Sequence, residues 1–226
     1  MADATVIYGH GFASGPLSSK GRAVRDRLAG RGIAVELLDL RVPTAEGLRL
    51  SRMIEVVGEA VDSAAAEAVA GAAAPPVLAI GSSLGGLTMA RAAERDPRIA
   101  AVVLLAPAFC LAERWRARLG EVEWARWQRD GVYPYDDYSA PGGVLQVDFG
   151  FIEDAARADV GWPDVLVPTT IVHGSRDETV DPALSRAFAA ARPHVRLIEV
   201  DDDHQLLGSL DVIHAEVDRA LAGLAG

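Results

Sequence analysis

The chain has a single cysteine, Cys110, so no intrachain disulfide can form, which is compatible with a reducing compartment. No stretch reaches ~18 uninterrupted apolar residues, so no transmembrane helix is expected. The N-terminal MADATVIYGHGF has neither a basic flank nor a long apolar run, which predicts no signal peptide and a cytoplasmic location. Positive charge is scarce: 22 Lys and Arg stand against 32 Asp and Glu, a formal net charge of −10. Such a surface repels polyanions and argues against nucleic acid or an anionic membrane as partner. No internal repeat and no metal-ligand spacing is visible.

What the sequence does have is apolar material, half of its 226 residues, enough for a sizeable core. Short runs rich in Val, Ile and Leu occur at TVIYG (5–9), IAVELLDL (33–40), VLAIG (77–81), AVVLLA (101–106), TTIVHG (169–174) and VRLIEV (195–200). Being apolar on both faces, they read as strands of a parallel sheet covered on both sides. Between them, Leu50, Met53, Ile54, Val57 and Val61 form one stripe of an amphipathic helix. Further helices are predicted over 84–95, from Pro182 behind an Asp181 cap, and over 210–221. This alternation predicts an α/β fold with a doubly wound, mostly parallel sheet.

Residues 107–168 break the alternation, with no clear strand–helix unit. Ten of the thirteen aromatic residues fall there: Phe109, Trp115, Trp124, Trp127, Tyr133, Tyr135, Tyr138, Phe149, Phe151 and Trp162. The predicted organisation is one core, 1–106 and 169–226, with 107–168 as an inserted lid. Its aromatics either staple a small irregular subdomain or roof an apolar site.

Four loops carry candidate chemistry. Gly81-Ser82-Ser83-Leu84-Gly85 follows a buried strand and opens a helix, the context a G-x-S-x-G nucleophile elbow requires. Its spacing places Ser83 at the apex, with Ser82 as the rival. His10-Gly11-Phe12 ends the first strand. The backbone N–H groups of Phe12 and Leu84 are the expected oxyanion donors, and His10 is read as a brace of its loop rather than a base. In HGSRDETV (173–180), Asp177 is the candidate acid; Asp181 is assigned to the helix cap and Glu178 to solvent. His204 follows the last strand, where the base of such a triad is found. The Asp201–Asp203 run before it reads as a solvated loop. His194 and His214 have no partner motif, and Cys110 reads as a small buried hydrophobe.

Together, YGHGFASGPLSSKG, GSSLGG, HGSRDETV and DDDHQL resemble small bacterial α/β-hydrolase esterases of the YqiA-like type. YDDYSAPGGVLQVDFGFIEDA resembles bacterial relatives of mitochondrial acyl-protein thioesterases. The resemblance implies the α/β-hydrolase fold and hydrolysis of carboxylic esters or acyl thioesters, with Ser83, Asp177 and His204 as nucleophile, acid and base. It implies no metal and no organic cofactor. Because His10-Gly11 comes so early, the sheet is expected to have about six or seven strands. The substrate is expected to be a small-molecule acyl ester or thioester. Amide or peptide hydrolysis on the same triad is the alternative activity. An inactive ligand-binding relative would show a broken triad, whereas all three members are readable here.

Overall fold

The structure is a computed structural model that describes residues 4–66, 74–137 and 141–225. Tyr138 lies outside the described residues. In chain order the first elements are β1 (Thr5–Gly9), α1 (Ser19–Ala29), β2 (Val35–Leu38), α2 (Leu50–Ala66), β3 (Val77–Ser82), α3 (Leu84–Ala93) and β4 (Ile99–Leu105). Next come α4 (Leu111–Asp130), β5 (Val132–Asp136), β6 (Val144–Asp148) and α5 (Gly150–Ala158). β7 (Thr169–Gly174), α6 (Pro182–Ala190), β8 (Val195–Val200) and α7 (Leu210–Leu224) complete the chain.

Six strands form one sheet in the order β2-β1-β3-β4-β7-β8, with every neighbouring pair parallel. Alternate strand residues serve opposite layers. Ile7, Ala79, Val102 and Leu104 join a core under α2 and α3; Tyr8, Leu78, Ile80 and Val103 join a second core with Val24, Leu28, Ile213 and Val217 of α1 and α7. In the inner strands β1, β3, β4 and β7 both faces are buried, which is why they read as continuous apolar runs rather than alternating ones; the edge strands β2 and β8 keep exposed residues. From β1 the chain moves outward to β2, then returns to β3 on the other side of β1. That reversal opens a crevice at the carboxyl ends of β1 and β3, where open α/β sheets hold ligands.

Residues 107–168 are more regular than their sequence pattern predicts. It contains a helix, an antiparallel two-stranded sheet of β5 and β6, and a second helix. α4 hides its period because it is broken at Gly120 (φ 72°, ψ 167°). Leu111 and Trp115 keep phase before the break, and Trp127 is buried after it on a shifted register. β5 contains Pro134, which a two-stranded ribbon tolerates because its outer edges need no donor. α1 also escapes a periodicity reading: it is rich in arginine and buries only Lys20, Gly21, Val24 and Leu28.

Buried carboxylates bolt this segment to the core. Asp154 accepts from the Ser51 N–H (2.8 Å) and hydroxyl (2.7 Å) at the start of α2. Asp159 accepts from Arg91 Nε and Nη2 (2.9 and 2.7 Å) and from the Leu111 N–H (3.2 Å). Both side chains of the Arg91–Asp159 pair are 3% exposed. Burial pushes the Asp159 carboxyl up against the pull of Arg91, so the pair serves placement more than net stability. Removing Asp159 leaves buried Arg91 with the more exposed Glu94 carboxylate to balance its charge. Asp159→Ala is expected to cost about 3–5 kcal/mol in urea unfolding; a loss within experimental error would mean that water replaces the carboxylate freely.

Candidate active site

The turn after β3 is crowded. A Cβ on Gly81 would overlap the Gly85 carbonyl, and one on Gly85 would overlap the carbonyls of Gly9 and His10. The two glycines therefore let the helix start against the end of β1. Between them Ser83 adopts φ 53° and ψ −114°, a conformation that costs on the order of 1–3 kcal/mol and is held by its surroundings. Its N–H donates to Leu105 O (2.8 Å), and its carbonyl accepts from Leu87 (3.1 Å) and Ala108 (3.0 Å). Its side chain is left facing the cleft, close to Gly11.

The loop after β1 lies across this turn. The His10 ring braces it: Nδ1 donates to Gly11 O (2.8 Å), and Nε2 accepts the Leu40 N–H (3.0 Å). Burial holds His10 below the usual histidine range, which suits that acceptor role. Among the described residues neither the Phe12 N–H nor the Leu84 N–H has a hydrogen-bond partner. Both residues line the cleft with Ser83.

Asp177 stands in the turn after β7, its side chain fully buried. Its Oδ1 accepts the Thr179 and Val180 N–H groups, both at 2.8 Å. Its Oδ2 accepts His204 Nδ1 at 2.7 Å and His173 Nε2 at 3.1 Å. Burial alone would raise its pKa; the donors of His173, His204 and Val180 outweigh it and hold the carboxyl well below the usual range. With Nδ1 donating to Asp177, His204 keeps Nε2 for another partner. Ser83 and His204 wall the same cleft, with no hydrogen bond between them. The structure thus joins His204 to Asp177 directly and sets Ser83 beside them. Asp181 caps α6 by accepting the Ala183 N–H (2.8 Å), and Glu178 is exposed. Cys110 is only half-buried.

Two further residues belong to this constellation without a motif that marks their role. His173 is wholly buried, with Nδ1 on Ser185 Oγ (2.7 Å) and Nε2 facing both Asp177 and Val180 O (3.0 Å). Lys20 donates to the Gln205 carbonyl, one residue past His204, at 2.7 Å. The sequence does hold a signal for it: among 22 basic residues, Lys20 is the single lysine.

The cleft above Ser83, about 640 Å³, has an apolar wall of Phe12, Leu84, Leu111, Trp115, Tyr135 and Phe151, and a charged rim that includes Arg114, Arg118, Asp136, Glu178 and Asp181. The Phe12 ring packs on Trp115, Tyr135 and Phe151 at centroid distances of 5.3, 4.8 and 5.9 Å, so the loop after β1 also packs against the 107–168 segment. Trp127 does not reach the cleft; it is 1% exposed and donates to Val147 O (2.9 Å). Trp124 packs on Trp127 and Phe149 away from it.

A model of the family described as Uncharacterised protein family (UPF0227) matches residues 5–218. No curated protein matches the chain in sequence. Solved structures similar to it include alpha/beta hydrolase domain-containing protein 10 from mouse (TM-score 0.78, 22% identity, 97% of this chain and 90% of that one). Est1E from Butyrivibrio proteoclasticus is also similar (TM-score 0.74, 20% identity, 100% and 90%), as is its form with ferulic acid bound (TM-score 0.77, 21% identity, 98% and 89%). At these identities the likeness establishes the α/β-hydrolase fold.

Proposed function

The chain belongs to the family UPF0227, and from that premise and the site geometry we propose that it is a serine hydrolase of carboxylic esters or acyl thioesters. One observation carries the reading: buried Asp177 holds half-buried His204 at 2.7 Å beside a serine held at positive φ between a strand and a helix. His204 Nε2 takes the Ser83 proton as Oγ attacks the acyl carbonyl. The oxyanion settles against the two unpartnered N–H groups of Phe12 and Leu84, one such donor being worth ~3 kcal/mol in the transition state. His204 then hands its proton to the leaving alcohol or thiol. In the second half it takes a proton from the water that frees the acyl group. Asp177 fixes the ring's tautomer and offsets the imidazolium charge.

A fluorophosphonate probe should label the wild-type chain once, and Ser83→Ala not at all. Hydrolysis of p-nitrophenyl esters and acyl-CoA thioesters from two to sixteen carbons then reads the acyl preference. Each methylene buried in an apolar cleft is worth ~0.8 kcal/mol, so kcat/KM should climb several-fold per two carbons until the cleft is full. Trp115→Ala should move the optimum, because Trp115 walls the cleft. Trp127→Ala should leave the optimum in place and lower stability by about 3–5 kcal/mol. An optimum on acetate that ignores Trp115→Ala would leave the insertion a scaffold only.

A further inference from the structure

Twenty-two basic side chains serve this chain, and the one that is a lysine, Lys20, is 8% exposed beside the candidate nucleophile. Its ammonium has three donors, and among the described residues one is used, on Gln205 O at 2.7 Å. Asp177, Asp202 and Asp203 surround it electrostatically but do not hydrogen-bond it. Each is committed elsewhere: Asp177 to His173, His204 and two backbone N–H groups, Asp202 to the Asp203 N–H and the Ser209 hydroxyl, Asp203 to the Gln205 N–H. The ammonium is therefore buried in a favourable field with donors to spare.

Those donors belong to a second cavity, about 300 Å³, that meets the aromatic cleft at Ser83 and His204. Its character is different. Apart from Lys20 and His204 its polar lining is hydroxyl and amide, with Tyr8, Ser14, Ser18, Ser82 and Gln205 among it, and no carboxylate lines it. The Tyr8 hydroxyl is buried, with the Ser18 and Ser82 hydroxyls as its neighbours. Burial pushes that phenol up to about 12 against the pull of the neighbouring Ser18 and Ser82 hydroxyls. A lysine with unused N–H groups beside a row of hydroxyls is what an oxyanion needs on leaving water.

We propose that this cavity receives the leaving group and that Lys20 binds an anionic oxygen on it, a carboxylate or a phosphate, while the acyl part lies in the aromatic cleft. The proposal rests on the ester or thioester hydrolase reading. With Arg114 and Arg118 lining the adjoining cleft, it gives a chain of net charge −10 a local positive site for an acidic substrate.

The test compares kcat/KM within two substrate pairs of constant acyl group. One is 3-(butyryloxy)benzoate and its methyl ester; the other is butyryl-phosphopantetheine and butyryl-pantetheine. In wild type the anionic member of at least one pair should be preferred about tenfold or more, mainly through KM, and the responding pair tells carboxylate from phosphate. Lys20→Met should bring that ratio to about one, the ratio being insensitive to general damage at the triad. A variant that fails to fold is replaced by the wild-type pH series. Burial lowers the Lys20 pKa to about 8 against Asp177, Asp202 and Asp203, with His204 and Tyr8 lining the same cavity, so the preference should fade as pH rises through that value. A ratio of one or less in both wild-type pairs overturns the proposal, as does one that survives Lys20→Met or pH 9.5 (about 1.5 units above the Lys20 value). Cleavage of the neutral esters with such ratios leaves the hydrolase reading standing; no cleavage of any of the four overturns both.

Discussion

Ser83→Ala should lower kcat for ester hydrolysis by on the order of 10⁶ while leaving the fold intact. In the proposed mechanism the size follows from losing the atom that would form the acyl-enzyme, leaving the oxyanion donors to act on attack by water. Stability should barely change, for three reasons. Alanine meets nearly the same backbone penalty at φ 53° that serine already bears. Ser83 Oγ has no hydrogen-bond partner among the described residues, so no buried group is orphaned. The backbone bonds to Leu105, Leu87 and Ala108 are untouched. Ser82 is the control. It is 5% exposed and sits beside the Tyr8 hydroxyl rather than at the apex. Ser82→Ala should retain activity within about tenfold, since it removes no reacting atom. An active Ser83→Ala beside a dead Ser82→Ala would move the nucleophile by one residue.

These contrasts also show which parts of the molecule are legible in its sequence. β7 and β8 coincide with their apolar runs, and β1, β3 and the elbow follow theirs closely, because both the buried strand and the glycine-flanked turn are local patterns. Asp181 is legible as a cap for the same reason, with proline directly behind it. The 107–168 segment resists such reading. Gly120 shifts the phase of α4, Pro134 disguises β5, and the order of the segment comes from partners far along the chain, such as Arg91 for Asp159 and Ser51 for Asp154. The acidic run before His204 divides: Asp201 and Asp203 are exposed as expected, while Asp202 is half-buried and ties its loop to Ser209. His173 meets partners only 4, 7 and 12 residues on, and no motif marks its role; Lys20 stands out as the single lysine, but its partner is set by topology. The Lys20 bond to Gln205 spans 185 residues and exists only because α1 and the loop after β8 meet at the crevice.

Asp177→Asn is the most specific probe of that crevice, with an expected fall of about 10⁴ in kcat at nearly unchanged backbone geometry. The carboxylate accepts four hydrogen bonds, and an amide can accept on one side only. The Thr179 and Val180 N–H groups are fixed donors, so the oxygen of the introduced amide must face them and its NH₂ must face the two imidazoles. His204 Nδ1 then has to accept rather than donate, which moves its proton to Nε2. That is the atom required to take the Ser83 proton, so the base is blocked by its tautomer rather than displaced. Stability carries a second signature. The folded-state carboxyl is held below its unfolded value of ~3.9, so its contribution is present above that pH and disappears as the pH falls through the lower folded value. The amide variant has no such group to titrate. Wild type should be the more stable at pH 7, and the gap between the two melting temperatures should close as the pH drops below about 4. A variant within tenfold of wild-type kcat, or a gap constant from pH 7 down to strong acid, would remove Asp177 from the role given to it.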